Sequence, residues 1–241
     1  MGDGERGDTV MIELTKEQEE ALSAADLIAR LIVDRPSKPC LTCSFQAEDL
    51  IVLHMLRAHA PEVPVLFLDT GYHFPETYSF RDRMVREWKL NLRNLLPRRT
   101  VAQQETELGI LYRTDPTRCC ALRKVEPLMA GLNGFDLWFT GLRREQSPTR
   151  RNLQKLESHT LPNGQMLRKI NPLADWTWEQ VWQYTVENRI PYLPLYDFGY
   201  RSIGCAPCTT VPLTADPRSG RWGGKKLECG IHTFSQPAGE P

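Results

Sequence analysis

Cys40-Leu-Thr-Cys-Ser-Phe-Gln-Ala-Glu-Asp49 opens with a short run, Cys40 to Phe45, that reads as a buried strand. It closes on two carboxylates suited to the positive N-terminal end of a helix. The strand-then-helix order recurs on both sides of this stretch. Val63-Pro-Val-Leu-Phe-Leu68 is a second strand, Asp69-Thr-Gly71 turns, and Pro75-Glu76 starts another helix. Leu92 to Leu96 has the look of a third strand. Leu122, Val125, Leu128, Met129 and Leu132 recur at helical spacing, which sets Cys119 and Cys120 at the entrance of a helix. Asp136-Leu-Trp-Phe-Thr140 is strand-like, and Thr177-Trp-Glu-Gln180 caps a helix running to about Asn188. Upstream, Thr15-Lys-Glu-Gln18 has the same capping form before Leu22, Ala25, Ile28 and Ile32, which predicts one amphipathic helix ended by Pro36 and Pro39. The alternation predicts an α/β fold: a mostly parallel sheet with helices on both faces, and ligands gathered where loops leave the carboxyl ends of the strands.

The chain has 241 residues, 41% hydrophobic and 25% charged, the size and composition of one globular domain. No apolar run approaches the roughly 18 residues of a spanning helix, so a membrane protein is not expected. The opening MGDGERGDTV lacks the apolar core of a secretory signal, so the cytoplasm is the expected location. Thirty basic and thirty acidic side chains give a formal net charge of zero, which argues against a nucleic-acid binder. The balance is uneven: residues 1–50 hold 5 basic and 11 acidic side chains, 140–170 hold 7 and 2, and 201–226 hold 5 and 1. Positive charge late in the chain suits a small anionic ligand held by a few segments. From Ile190 onward prolines and glycines are frequent and periodicity fails. Residues 1–208 are therefore expected to form the α/β domain and 209–241 a mobile tail, which can still be functional.

Seven cysteines without an export signal make a poor disulfide framework and point to metal ligation or thiol chemistry. Cys205-Ala-Pro-Cys208 alone is ambiguous between a redox pair, a zinc half-site and a cluster half-site. The vicinal pair Cys119-Cys120 tilts the balance, because neighbours rarely serve one tetrahedral zinc whereas a cuboidal cluster offers separate iron corners. Four thiolates match the ligand count of a [4Fe–4S] cluster, with zinc the second reading and ordinary buried cysteines the third. Cys229 sits among Arg218, Arg221, Lys225 and Lys226 rather than in an apolar run; cations favour thiolate, so a reactive thiol is expected here over an incidental one. Cys40 and Cys43 have metal-like spacing, but a strand places them on opposite faces, which favours a core role. His73 and Trp222 are assigned to turn packing.

Three basic groups, Arg123-Lys124, Arg143-Arg144 and Arg218 with Arg221, lie near predicted strand ends or a thiol. Each alone is more often a solvated surface, but forks and point charges from separate segments are what a phosphate or sulfate needs. Ser44-Phe-Gln-Ala-Glu48 between strand and helix can cradle an anion with backbone N–H groups and a hydroxyl.

Taken in order, Ser44-Phe-Gln-Ala-Glu48, Leu68-Asp-Thr-Gly71, His73-Phe-Pro-Glu-Thr77, Cys119-Cys-Ala-Leu-Arg-Lys124, Thr140-Gly-Leu-Arg-Arg-Glu-Gln-Ser147, Cys205-Ala-Pro-Cys208, Arg218-Ser-Gly-Arg-Trp222 and Glu228-Cys-Gly-Ile-His232 resemble the adenylyl-sulfate (APS) and phosphoadenylyl-sulfate (PAPS) reductase family, from about residue 15 to 234. The resemblance implies an adenine nucleotide alpha hydrolase-like fold and thioredoxin-dependent reduction of APS to sulfite and AMP in sulfate assimilation. It implies Cys229 as nucleophile, and Cys119, Cys120, Cys205 and Cys208 as ligands of a [4Fe–4S] cluster of the APS-using branch. Ser44 and Glu48 match its phosphate loop, Leu68 and Gly141 its adenosine contacts, and Lys124, Arg144, Arg218 and Arg221 its phosphosulfate contacts, with Arg150 and His232 added to the substrate set. The expected partners are APS and a thioredoxin- or glutaredoxin-like reductant; homo-oligomerisation is left open. The rival readings are a PAPS or dual-substrate reductase, an adenylating enzyme of the ATP-pyrophosphatase type, and a non-catalytic metal or redox sensor.

Overall fold

The computed structural model describes residues 15–33, 37–212, 214–224, 226 and 228–232. Pro36, Lys225 and the 233–241 end of the expected tail lie outside the described residues. Six strands, β1 (Pro39–Thr42), β2 (Pro64–Leu68), β3 (Asn91–Leu95), β4 (Leu137–Phe139), β5 (Leu156–Thr160) and β6 (Met166–Ile170), form one sheet. Their order is β3-β2-β1-β4-β6-β5, parallel throughout except for the antiparallel β5–β6 hairpin. That hairpin was not anticipated, because Leu-Glu-Ser-His-Thr and Met-Leu-Arg-Lys-Ile carry too many polar residues to read as buried strands. The Asn163-Gly164 pair at its turn, with Gly164 at φ +83°, is the signal that marks it.

Helices cover both faces. Leu41, Val65, Phe67, Phe139 and Ile170 point to one side, against α2 (Ala24–Val33), α3 (Ala47–Arg57), α4 (Pro75–Trp88) and α9 (Trp178–Glu187). Cys40, Leu66, Trp138 and Leu167 point to the other, where α8 (Glu126–Gly131) supplies Leu128. Cys40 and Cys43 fall on opposite faces, both buried, as the strand period requires. The helix expected from Thr15 divides: the capping box forms and starts α1 (Lys16–Ala21), but Leu22 is extended and the Ser23 hydroxyl accepts from the Asp26 amide to start α2 anew. The buried stripe is consequently Ala24, Leu27, Ile28 and Leu31 rather than one running through Ala25.

Thr100 caps α5 (Val101–Leu108), and after α6 (Leu111–Thr114) the cysteine-bearing helical run starts at α7 (Pro116–Cys120), where the Asp115 carboxylate accepts from the Arg118 amide. Cys119 and Cys120 therefore close α7 rather than open a helix. A π-helical turn, Ala121–Val125, links α7 to α8. One extra residue in the turn rotates the following side chains, and Arg123 and Lys124 are buried while Leu122 and Val125 are only half-buried.

β1 lies at the point where the sheet order reverses, flanked by β2 and β4, so the loops after β1 and β4 splay apart and leave a crevice. In the β1–α3 loop Phe45 takes φ +61°, a region that favours glycine, and is fully buried with its ring edge-on to Phe67 at 5.7 Å. Burying the ring, worth about 1.5–3 kcal/mol, offsets backbone strain of about 1–3 kcal/mol. After β4, Gly141 passes against the start of α3: a Cβ there would sit 2.5 Å from Asp49 Oδ1 and 2.8 Å from the Asp49 amide nitrogen. Gly141→Ala must push β4 and α3 apart at the crevice. A loss of about 1–3 kcal/mol is expected, read as a lower denaturant midpoint at unchanged m-value.

Candidate active site

A cavity of about 440 Å³ occupies this crevice. Its floor is made by the strand ends, with Ser44, Leu68 and Gly141 on its lining. Asp49, half-buried at the first turn of α3, accepts from both the amide and the hydroxyl of Ser44 at 2.6 Å. Burial pushes its carboxyl up to about 6 even though these hydrogen bonds favour the charged form. Glu48 faces the cavity but is not free to meet an anion or a hydroxyl unaided. Its Oε1 accepts from Arg143 Nη2 at 3.0 Å, Arg143 Nε at 3.1 Å and Gln146 Nε2 at 3.0 Å. Arg143 also donates to Glu145 and to the Trp176 carbonyl, so its guanidinium is committed to the protein.

Cations form the inner wall. Lys124, Arg150, Arg218 and Arg221 line the cavity, as does Cys229. Arg221 is buried, donates Nη1 to Ser202 Oγ at 3.2 Å, and leaves Nε without a hydrogen-bond partner. Its guanidinium lies 4.4 Å from the Trp222 ring centre, with Arg218 and Lys226 within 6 Å of the same ring. Trp222 thus does more than pack a turn. Burial depresses Arg218 to about 10, with Arg150 adding to the effect and Glu228 opposing it. Burial also works against the charge of Lys124, yet the neighbouring Cys205, Cys229 and Cys120 sulfurs carry it above the ordinary lysine range. Such a wall has an unmet demand for negative charge.

The described part of the expected tail, between 209 and 232, packs on the domain. Thr209 pairs with Arg221, Trp222 is buried, Ile231 joins the Trp138 cluster, and His232 stacks on Trp138 at 5.7 Å. His232 lines the cavity, and burial among Lys169, Arg150 and Arg218 holds it well below the usual histidine range, so it is neutral. His73 is also held neutral, at about 4, by burial; its Nε2–H donates to the Leu68 carbonyl at 2.8 Å.

Cys119, Cys120, Cys205 and Cys208 line one small crevice behind this wall, with Lys124 and Trp222 shared between it and the cavity. Among the described residues no carboxylate or imidazole lines that crevice. The loop after β2 holds the Cys205 segment: the Ala206 amide donates to the Tyr72 carbonyl at 2.7 Å, and Thr70 Oγ1 lies 3.3 Å from Cys205 Sγ. Arg123 clamps that loop, donating Nε to the Thr70 carbonyl at 2.6 Å and Nη1 to Gln104 at 3.0 Å. Burial, then mutual repulsion, pushes the Cys119 and Cys208 thiols up to about 11. Among the described residues no three His, Cys, Asp or Glu side chains close on a single metal ion.

Arg144 is the one expected site residue that the structure turns away: it donates to Glu20 at 2.6 Å and to the Leu153 carbonyl at 2.7 Å. Arg143 takes the inward place. The backbone is extended there, so neighbouring side chains point to opposite sides and only one of the two can enter the cavity. Sequence reasoning also passed over Gln146 and Glu228, whose roles depend on partners 98 and 78 residues distant.

Residues 38–211 match the phosphoadenosine phosphosulfate reductase domain. A phosphoadenosine 5'-phosphosulfate reductase of Gloeobacter violaceus is 42% identical over 231 residues, 93% of this chain and 95% of that one. An adenosine 5'-phosphosulfate reductase of Mycolicibacterium smegmatis is 47% identical over 188 residues, 77% and 78% of the two chains. The crystal structure of phosphoadenylyl-sulfate reductase from Candida auris superimposes with a TM-score of 0.69 at 28% identity, covering 83% of this chain and 99% of that one. With the sheet order, the strand-end cavity and these matches in agreement, the chain belongs to the phosphoadenosine phosphosulfate reductase domain family.

Proposed function

We propose that the protein reduces adenylyl sulfate to sulfite and AMP, with Cys229 as the nucleophile and a thioredoxin-like dithiol as the reductant. The observation that carries this reading is the presence of Cys229 on the same cavity as Lys124, Arg218 and Arg221. The Cys229 thiolate attacks the sulfate sulfur of APS, forming an S–S bond as the S–O bond to the AMP phosphate breaks. AMP leaves with the electron pair, and the enzyme carries S-sulfocysteine. Lys124, Arg218 and Arg221 stabilise the charge that builds on the phosphate oxygens in that step, when it is most valuable. A thiolate of the dithiol then attacks Cys229 Sγ, sulfite leaves with the S–S electron pair, and the second thiol of the pair resolves the mixed disulfide. Sulfur is reduced by two electrons and the dithiol is oxidised by two. Ser44, its amide and hydroxyl given to Asp49, shapes the nucleotide's side of the cavity at the start of α3, and Leu68 and Gly141 provide the narrow floor for adenosine. Cys229 becomes accessible to the reductant when its own stretch of chain opens from the cavity.

Cys119, Cys120, Cys205 and Cys208 are the residues that would hold a [4Fe–4S] cluster. A sulfur-only set of four donors facing one crevice, two of them adjacent in the chain, fits the ligand count of a cluster with separate iron corners. When bound, the cluster supplies local order and an electrostatic field; both electrons come from the dithiol. Lys124 lines both crevice and cavity, so it would stand between a bound cluster and the anion. The reaction is placed in the cytoplasm, where a thioredoxin-like dithiol is kept reduced; among the described residues no helix is long and apolar enough to cross a membrane.

PAPS adds a 3′-phosphate, and a second dianion needs a cation to meet it. Arg143 is committed to Glu48 and Glu145, Arg150 to Glu228 and Gln146, Arg151 is exposed, and Arg201, though on the cavity lining, is a solvated surface side chain whose pairing gains little. A phosphate stripped of water without a new charged partner is disfavoured. In paired assays, APS is expected to exceed PAPS by at least about tenfold in kcat/KM; equal or better turnover of PAPS overturns this preference. Cys229→Ser should abolish sulfite formation while anaerobically purified protein keeps about four irons per chain, since a hydroxyl cannot replace the thiolate. Iron lost from this variant would make Cys229 a ligand instead.

A further inference from the structure

Glu228 immediately precedes Cys229, and its carboxylate is gripped from three sides. Arg150 meets it with both prongs, Nε to Oε1 at 2.9 Å and Nη2 to Oε2 at 2.8 Å. Thr149 Oγ1 donates to Oε1 at 2.9 Å, and Arg218 Nη2 lies 3.5 Å from Oε2. The pair is well shielded: the Arg150 and Glu228 side chains are 11% and 13% exposed. On the other side of Cys229, Gly230 bends the chain at φ +94°, Ile231 joins the apolar cluster, and His232 stacks on Trp138.

Cys229 is therefore suspended between two anchors of different chemistry. The downstream anchor is apolar and stacked: Ile231 and His232 edge the cavity but are held by packing and stacking on the Trp138 cluster. The upstream anchor is made by two arginines that also line the cavity. Arg150 and Arg218 repel one another in a poorly hydrated space, and the Glu228 carboxylate holds both. Without that negative charge the arginines have reason to separate and nothing charged to keep residue 228 beside them.

We propose that Glu228 is a positioning residue: by tying its own backbone to Arg150 and Arg218 it holds Cys229 at the cavity for attack on the substrate, and this tie opens when the dithiol reaches the sulfur. The proposal rests on the reaction described above and assigns Glu228 no contact with the reacting atoms. A shielded, two-pronged ion pair supports a change of about ten- to a hundredfold in the docked population when its charge is removed. The first half-reaction needs the docked state and the second the open one, so one substitution must move them differently.

The test uses the full chain with Glu228→Gln and Glu228→Asp. Without substrate, amide hydrogen exchange at residues 228–231 should rise at least about tenfold in Glu228→Gln and less in Glu228→Asp. In single turnover with APS and no reductant, S-sulfonation of Cys229 in Glu228→Gln should slow about tenfold, partly restored by aspartate. Sulfite release from S-sulfonated protein by thioredoxin should be unchanged or faster. Unchanged exchange, unchanged S-sulfonation, or equal slowing of both half-reactions overturns the proposal. If the unsubstituted protein forms no S-sulfocysteine, the reaction itself is wrong; the exchange data still decide whether Glu228 anchors the segment.

Discussion

Bringing Lys124, Arg150, Arg218 and Arg221 to one half-closed cavity is the costly act on which the rest of this structure turns. Guanidinium and ammonium groups lose hydration there and repel one another, a penalty that no apolar packing relieves. Each is given its own partial remedy. Lys124 is held between cysteine sulfurs, Arg150 and Arg218 share Glu228, and Arg221 is spread over the Trp222 ring with one nitrogen on Ser202. The remaining demand for charge is what an anionic substrate satisfies.

The same constraint explains backbone features that look unrelated. Gly204 is the residue on which the Arg221 guanidinium lies, and any side chain there would displace it. The π-helical turn after Cys120 rotates Arg123 and Lys124 inward together: one clamps the loop that supports Cys205, and the other reaches the wall between crevice and cavity. Glu48, by contrast, spends its charge on Arg143, which keeps a fifth cation out of the repulsive group and fixes the strand-end loops to α3. Charge is thus sorted into two tightly paired arginines, Arg143 on Glu48 and Arg150 on Glu228, and cations beside them with charge left for an anion.

Much of this was legible along the chain because it depends on local rules. Capping boxes at Thr15 and Thr177 and the proline at the start of α4 mark helix starts through contacts spanning a few residues. Alternation of strands with helices fixed the fold class, and the order of the cysteine and arginine motifs pointed to the family. The β5–β6 hairpin escaped notice because its strands are too polar to carry the hydrophobic signal. The break between α1 and α2 escaped because the apolar residues on either side continue at plausible helical spacing.

The sequence by itself determined which chemical groups this protein possesses: a thiol among cations, two cysteine pairs, and a loop able to receive an anion at the end of a strand. Tertiary structure alone decided which of them meet. Arg143 rather than Arg144 turns inward because an extended backbone sends neighbours to opposite sides and the β4 loop presents only one side to Glu48. The cations on the Trp222 ring are its near neighbours in the chain, but Glu228 acquires its partners only because the chain folds residue 228 back onto the turn at 148–150. Such pairings reach across most of the domain, and no local propensity encodes them; they follow from the sheet order that puts β1 and β4 side by side.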